Sequence, residues 1–212
     1  MASKASTPKS ASSIIQTPEG VLRWCKLQGD GGLDYQKENM EWSTSISVPG
    51  DAFAEFEDAV YQFYQGECLR NLQLGDWGSI PEQNKPWQVD NDIEGNVVIR
   101  CKQKTKFMDN QTKEFMPMEP PKFYRNIGGV MRQVNMNDAP KIANGSTGVI
   151  TLKIKPWVFN KKFGIRFQPI NLLLKLSGGI GDALEIAEVE LYCAWTRTAK
   201  LVDGRGRGIA LM

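Results

Sequence analysis

One segment of the chain has the hydrophobic period of an α-helix. Its apolar positions recur three or four residues apart and are Phe53, Phe56, Val60 and Phe63. Asp51 stands where an N-cap residue would, and acidic side chains follow it in the first turns, where the helix dipole favours negative charge. The pattern predicts one amphipathic helix over about residues 51–70, with an aromatic inner side.

Most of the remaining chain alternates between apolar and polar residues, as β-strands do. The strand patterns cover about residues 21–27, 40–48, 95–107, 148–159, 163–176 and 184–195. Residues 75–92 contain two prolines, two tryptophans and no period, so we expect a long loop there, and 115–121 should be irregular. The order of elements predicts a mainly β domain, a small barrel or sandwich with one helix inserted early.

The two ends of the chain have a different composition from the middle. Residues 1–16 are rich in Ser, Ala and Thr and predict a flexible N-terminal arm. Residues 201–212 form a Gly/Arg tail, also expected to be flexible. Residues 17–200 are then one domain.

Two strands place cations on one face. In the strand at 95–107, Arg100, Lys102, Lys104 and Lys106 alternate with apolar or neutral residues and therefore share a face. In the strand at 148–159, an apolar face of Ile150, Leu152, Ile154 and Val158 lies opposite a face that carries Lys153, Lys155, Trp157 and Phe159. Lysines followed by two rings on a polar face are unusual.

Two interpretations of these faces compete. In the first, the lysines only keep an outer face soluble, and Trp157 and Phe159 fold over the end of the core. In the second, the cations neutralise phosphates and the rings stack on unpaired bases. Residues 97–175 carry 15 Lys/Arg against 4 Asp/Glu, a net charge of +11 inside a chain whose net charge is +2, which favours a polyanionic partner.

Composition disfavours several classes of protein. The chain has no histidine, so Ser-His-Asp and Cys-His relays and imidazole metal sites are excluded, and no carboxylate pair suggests a catalytic acid and base. We therefore expect no enzyme, no cofactor and no metal. The four cysteines lack the C-x-x-C spacing of zinc sites and predict free thiols. No apolar run is long enough for a membrane helix, and the first residues show no secretory signal.

Two alternatives remain beside nucleic-acid binding. A structural or adaptor β-barrel could use the basic face to bind an acidic protein. The loop Gly178-Gly179-Ile180-Gly181 could hold a nucleotide, but the strand and helix that such a motif requires around it are not predicted, so a turn between strands is the better account.

The order of several segments resembles a known family. Gly-Asn-Val-Val-Ile-Arg-Cys-Lys at 95–102 leads into Asp-Asn-Gln-Thr-Lys-Glu at 109–114. Lys-Pro-Trp-Val-Phe-Asn at 155–160 is followed by Phe-Gly-Ile-Arg-Phe-Gln at 163–168. Together they resemble the phage-encoded single-stranded DNA-binding proteins of the podovirus replication type, over roughly residues 20–176.

The resemblance implies a fold, a ligand and a site. The fold would be OB-fold-like, a five-stranded barrel with one main inserted helix, and its groove would hold single-stranded DNA during phage DNA replication, recombination and repair. Base-stacking rings would be Trp157 and Phe159, and the basic strand would supply Arg100 and Lys102, with Lys104 next along it. From the faces above we add Lys153 and Lys155 as phosphate ligands.

The resemblance also implies partners and a location. Family members act in the cytoplasm of the infected bacterial cell, form homo-oligomers, and commonly recruit a polymerase and a helicase through a long acidic C-terminal tail. This chain ends in a basic Gly/Arg segment instead. We therefore do not expect its C-terminus to mediate dimerisation or recruitment. The acidic residues Asp90, Asp92 and Glu94 are a candidate substitute for that tail.

Overall fold

A computed structural model describes residues 13–70, 74–127, 130–135 and 142–176. It contains one α-helix, α1, at Gly50–Arg70, and two single 3₁₀ turns at Trp77–Ser79 and Glu82–Asn84. The strands are β1 Ile14–Gln16, β2 Gly20–Lys26, β3 Gly32–Leu33, β4 Met40–Pro49, β5 Trp87–Val89, β6 Asn96–Lys104, β7 Lys106–Met108, β8 Phe115–Pro117, β9 Lys122–Ile127, β10 Val130–Val134, β11 Thr147–Phe159 and β12 Lys162–Leu176. The mainly β fold with one main helix is confirmed.

Most strands form one long, open sheet. Its order is β10-β9-β12-β11-β2-β4-β6-β5, with β1 also paired to β11 and β3 to β4. All pairs are antiparallel except β12 with β9. Among the described strands no hydrogen-bonded pairing joins the two ends, so the sheet curls without closing, and a closed five-stranded barrel is not what forms. β7 and β8 make a separate two-stranded sheet.

Aromatic side chains join α1 to the sheet. Phe56 of α1 meets Phe167 of β12 edge to face, with ring centroids 5.5 Å apart, and Trp87 stacks on the same Phe167 at 5.8 Å. Phe53 and Trp77 also contact Trp87, at 5.7 and 5.8 Å. The predicted inner side of the helix is thus the side that packs, because its aromatic rings bury large apolar areas against the sheet.

The same cluster orders the segment predicted as a loop. Residues 75–92 contain the two 3₁₀ turns and the short strand β5, which pairs with β6. Trp77 and Trp87 bury their rings in the aromatic cluster and hold this stretch against the sheet. The prediction of a long loop is therefore wrong at Trp87–Val89, where tertiary packing decides the conformation.

The long hairpin at the end of the described chain follows the predicted strands. β11 and β12 are joined by Asn160-Lys161, and both residues have positive φ, 49° and 63°. Two central turn residues with positive φ make the tight turn that matches the twist of antiparallel strands, and Asn adopts positive φ readily. This turn fixes the register in which Trp157 lies opposite Gly164.

Several other predictions need correction or fall outside the described residues. Ile14–Gln16 is a strand paired with β11, so the flexible arm cannot extend to residue 16. The basic strand ends at Lys104 rather than at residue 107, because residues 106–108 form β7 and pair with β8 instead. The stretch 115–121, predicted to be irregular, therefore begins with the strand β8. The strand predicted at 184–195, the Gly178–Gly181 loop and the 201–212 tail lie outside the described residues.

Candidate nucleic-acid interface

An open cleft of about 580 Å³ is lined by five strands of the sheet and by the segment before β5. One wall comes from β2, β4 and β6, and the other from β11 and β12, with residues 83–86 at one end. Asn84 fastens this segment to β12, since its side-chain amide donates to the Phe163 carbonyl at 2.9 Å. Both β6 and β12 contribute residues to the cleft, although the two strands are not paired with each other.

Five cations line the cleft against one carboxylate. They are Lys26, Lys85, Arg100, Lys102 and Arg166, and the carboxylate is Glu41. Lys102 Nζ lies 3.7 Å from Glu41 Oε2, and Lys85 pairs with Glu82 at 2.9 Å. Arg100 and Arg166 form no ion pair with any described residue. The cleft therefore has a strong surplus of positive charge, which suits an anionic ligand.

Arg100 and Lys102 lie where the alternation of β6 predicts. Both are exposed, while Ile99 before them and Cys101 between them are buried. Lys104 is also exposed on this strand, opposite Glu41 of β4, but it is not among the residues that line the cleft. The strand thus brings two of its three predicted residues into the cleft and leaves the third beyond its end.

Trp157 lines the cleft, and a glycine makes room for it. It stands opposite Gly164 in the β11–β12 hairpin. A Cβ at Gly164 would lie 2.7 Å from Trp157 Cζ2 and 2.7 Å from the Asn84 carbonyl oxygen. Trp157 therefore packs directly over the glycine backbone and is only partly buried, which leaves ring surface for a ligand.

We expect Gly164→Ala to disturb the cleft selectively. The added methyl group would push against both Trp157 and the 83–86 segment, at a cost of about 1–3 kcal/mol in the free energy of unfolding. The position of the Trp157 ring should shift, so the emission of the folded protein should change at temperatures well below the transition. Thermal unfolding and tryptophan emission check this. Gly78→Ala, where a Cβ meets nothing within 4 Å, is the matched control.

Trp24 is a second tryptophan of the cleft, and sequence reasoning missed it. It is 63% exposed, although simple alternation in β2 places it on the face of the buried Leu22. The register with β4 shifts between Arg23 and Lys26, so that β2 contains a bulge there. Trp24 has a φ of 48°, and its backbone N–H donates to Asn144 Oδ1 at 2.6 Å. The bulge turns the ring outward, at a conformational cost of about 1–3 kcal/mol.

A buried ion pair supports β2 next to this bulge. Arg23 binds Asp90 at 3.0 Å and Asp92 at 2.8 Å. Asp90 also accepts hydrogen bonds from the Ser47 hydroxyl and the Asp92 N–H. Burial alone would raise the pKa of Asp90, but these hydrogen bonds and the Arg23 charge outweigh it and hold the pKa below its usual value. Asp90 and Asp92 are thus engaged within the fold, which argues against their replacing an acidic tail.

The predicted residues Lys153 and Lys155 lie outside the cleft. They line a second pocket of about 280 Å³, together with Lys122, Glu119, Gln103 and Gln168. Phe159 lies beyond Trp157 near the hairpin turn and is 69% exposed, but it lines neither cavity. The structure therefore brings Arg100, Lys102 and Trp157 together and divides the other predicted residues among neighbouring surfaces.

Like charges meet where the cleft and the second pocket adjoin. Lys155 and Arg166 are directly opposite each other in the β11–β12 register, and Lys153 is two residues from Lys155 on the same face. Burial, Lys153 and Arg166 together lower the pKa of Lys155. Like charges that are directly opposite across two strands destabilise a sheet, so this pair lowers the stability of the unbound protein. A bound anion would relieve the repulsion.

Other chemistry has little support in the described part of the chain. No group of three or more Cys, Asp or Glu side chains is placed to hold a metal ion among the described residues. Cys25, Cys68 and Cys101 are free thiols. Burial raises the pKa of Cys101, the cysteine that lines the cleft, so it is protonated at neutral pH. None of the helices that are described is long and apolar enough to span a membrane.

Known structures share this fold, although the sequence comparisons find no match. No protein-family model and no curated protein sequence matches the chain. The crystal structure of gp2.5, a single-stranded DNA-binding protein encoded by bacteriophage T7, matches with a TM-score of 0.54 at 19% identity, covering 84% of this chain and 94% of that one.

A second phage protein matches in the same way. The single-stranded DNA-binding protein of bacteriophage Enc34, solved in complex with ssDNA, has a TM-score of 0.57 at 13% identity, with 84% of this chain and 97% of that chain covered. Its C-terminally truncated form has a TM-score of 0.56 at 12% identity, with coverages of 84% and 98%. The chain therefore has the OB-type fold of phage-encoded single-stranded DNA-binding proteins, as the resemblance of its sequence implies.

Proposed function

We propose that this protein binds single-stranded DNA, largely without regard to sequence, and coats it during phage DNA replication, recombination and repair. The observation that carries the proposal is the cleft itself. Two accessible tryptophans, Trp24 and Trp157, lie among five cations at the open side of the sheet. Cations track a phosphate backbone, and tryptophan faces accept any unpaired base, whereas the bases of a duplex are already stacked on each other.

The roles of individual residues follow from their positions. Arg100, Lys102 and Arg166 neutralise phosphates in the cleft, with Lys26 and Lys85 at its borders. Trp24 and Trp157 stack on bases. Lys104 and Phe159 contact the strand where it leaves the cleft, at either end of the basic surface. The protein has no catalytic step in this account, and its place of action is the infected bacterial cell.

Partners beyond DNA follow from the family resemblance alone. Replication proteins such as a polymerase and a helicase, and further copies of the chain, would assemble on the coated strand. An adaptor that binds an acidic protein through the same basic surface is the competing function. The two functions differ in one respect, because an adaptor has no use for accessible stacking rings within its cationic cleft.

Binding of labelled oligo-dT, measured by fluorescence anisotropy over a range of salt concentrations, tests the proposal. Each phosphate contact with a single strand contributes about −0.7 to the slope of log K against log salt, so five cations predict a slope of up to about −3.5. Unlabelled oligo-dT should compete, and a duplex of the same length should compete at least about tenfold less well. Absence of oligo-dT binding at low salt would leave the adaptor as the better account.

A further inference from the structure

The cleft and the second pocket are adjacent and chemically different. The second pocket contains Lys122, Lys153 and Lys155, but none of the described residues that line it is aromatic. The cleft contains both cations and tryptophans. One cavity can therefore bind bases as well as phosphates, whereas the other offers charged, amide and aliphatic groups but no ring on which a base could stack.

The Lys155–Arg166 pair connects the two cavities. Arg166 lines the cleft, and its cross-strand partner Lys155 lines the second pocket. Side chains that are directly opposite in an antiparallel pair have Cβ atoms about 5 Å apart, so Lys155 and Arg166 lie side by side, each lining one of the two cavities. Neither residue forms an ion pair with a described carboxylate, and a phosphate placed between them would contact both and reduce their mutual repulsion.

The second pocket continues the line of positive charge. Lys153 is exposed and lies opposite Gln168, the next cross-strand pair along the same face. Lys122 of β9 lies on the far side and pairs with Glu119 at 3.0 Å, in an exposed contact. A phosphate chain could displace the Glu119 contact at little cost, because exposed ion pairs contribute at most about 1 kcal/mol.

We propose that the bound strand crosses the Lys155–Arg166 pair from the cleft into the second pocket, where Lys153 and Lys122 bind its phosphates without base stacking. The inference rests on the proposed function, since it extends the path of the same ligand. The protein then has a stacking section and a phosphate-only section in series. Each bound strand must accordingly be oriented, with its stacked bases at one end of the footprint and unstacked nucleotides at the other.

The double variant Lys122→Gln/Lys153→Gln tests the phosphate-only section. With a ladder of oligo-dT from about 4 to 16 nucleotides, we expect wild-type affinity for the short oligonucleotides and weakened binding of the long ones. The salt slope for the long ones should fall in magnitude by about 1.4, the share of two phosphate contacts. The double variant Lys37→Gln/Lys175→Gln removes the same charge from residues that line neither cavity, and it should behave as wild type.

Half-abasic oligonucleotides test the order of the two sections. One chimera carries thymines in its 5′ half and abasic sites in its 3′ half, and the other is the reverse. We expect one of them to bind within about threefold of full oligo-dT and the other to lose about tenfold or more, because only one section uses bases. Equal loss for both chimeras, or unchanged binding of Lys122→Gln/Lys153→Gln at all lengths, overturns the inference.

These outcomes separate this inference from the proposed function. If wild-type protein binds oligo-dT through Trp24 and Trp157 and the lysine double variant is unchanged, the function stands and only the extended path is wrong. If wild-type protein binds no oligo-dT, both are wrong.

Discussion

Replacing both cleft tryptophans, as Trp24→Ala/Trp157→Ala, should lower the affinity for oligo-dT by about thirtyfold or more. Stacking of one base on an aromatic side chain contributes about 1–3 kcal/mol, so two stacks account for at least about 2 kcal/mol. Each single variant should cost more than loss of any one lysine, since one exposed charge contributes less in salt. Anisotropy titrations at a fixed salt concentration measure the change.

Controls for this prediction come from the same chain. Tyr35 is a fully exposed aromatic residue that lines neither cavity, so Tyr35→Ala should bind as wild type does. Trp157→Phe should retain part of the affinity, because phenylalanine keeps a stacking face. We expect the tryptophan variants to keep the wild-type fold, since neither Trp24 nor Trp157 belongs to the buried core. Wild-type affinity of the double variant would remove the tryptophans from the site.

Replacing Asp90 by alanine should be among the most destabilising single changes in the described fold. The substitution leaves Arg23, the Ser47 hydroxyl and the Asp92 N–H without their shared acceptor. Breaking a buried ion pair by removing one partner costs about 3–5 kcal/mol. Urea unfolding measures this loss. Asp92→Ala is the matched control, because Asp92 binds the same arginine with a side chain that is 72% exposed, and it should cost under about 1 kcal/mol.

Asp90 also predicts a dependence of stability on pH. Its pKa in the folded protein lies below the ordinary value of 3.8, so the folded state favours the charged form. The stabilisation is therefore fully present above pH 3.8 and is lost as the pH falls through the lower pKa of the folded state. Asp90→Ala should remove this part of the acid sensitivity. If the variant and the wild type lost stability in parallel below that pH, Asp90 would not be the responsible group.

The sequence predicts those parts of the fold that local patterns determine. The aromatic period of residues 53–63 predicts α1 because the side chains that define the period are also the ones that are buried, as Phe56 is against Phe167. The two strands around Asn160-Lys161 are predictable because both alternate clearly and Asn160 adopts positive φ readily. The alternation of β6 likewise places Arg100 and Lys102 correctly on the exposed face.

The parts that were missed depend on contacts between distant segments. β5 forms because Trp87 stacks on Phe167, which is 80 residues away along the chain. Trp24 reaches the cleft only through a bulge held by Asn144, and alternation in β2 contains no sign of it. Lys153 and Lys155 share a face of β11 with Trp157, but that face continues past the cleft. The alternation within a single strand does not reveal where a cavity ends.

The most direct test of the central claim is intrinsic tryptophan fluorescence titrated with oligo-dT at low and high salt. Of the described tryptophans, Trp42 and Trp87 are buried and Trp77 packs against other rings, so quenching by bases should come from Trp24 and Trp157. We expect oligo-dT to quench the emission of the wild-type protein strongly at low salt and not at high salt. In Trp24→Phe/Trp157→Phe, only a small fraction of the remaining emission should be quenched. Unquenched emission in wild-type protein, or equal quenching in the double variant, would contradict stacking in this cleft.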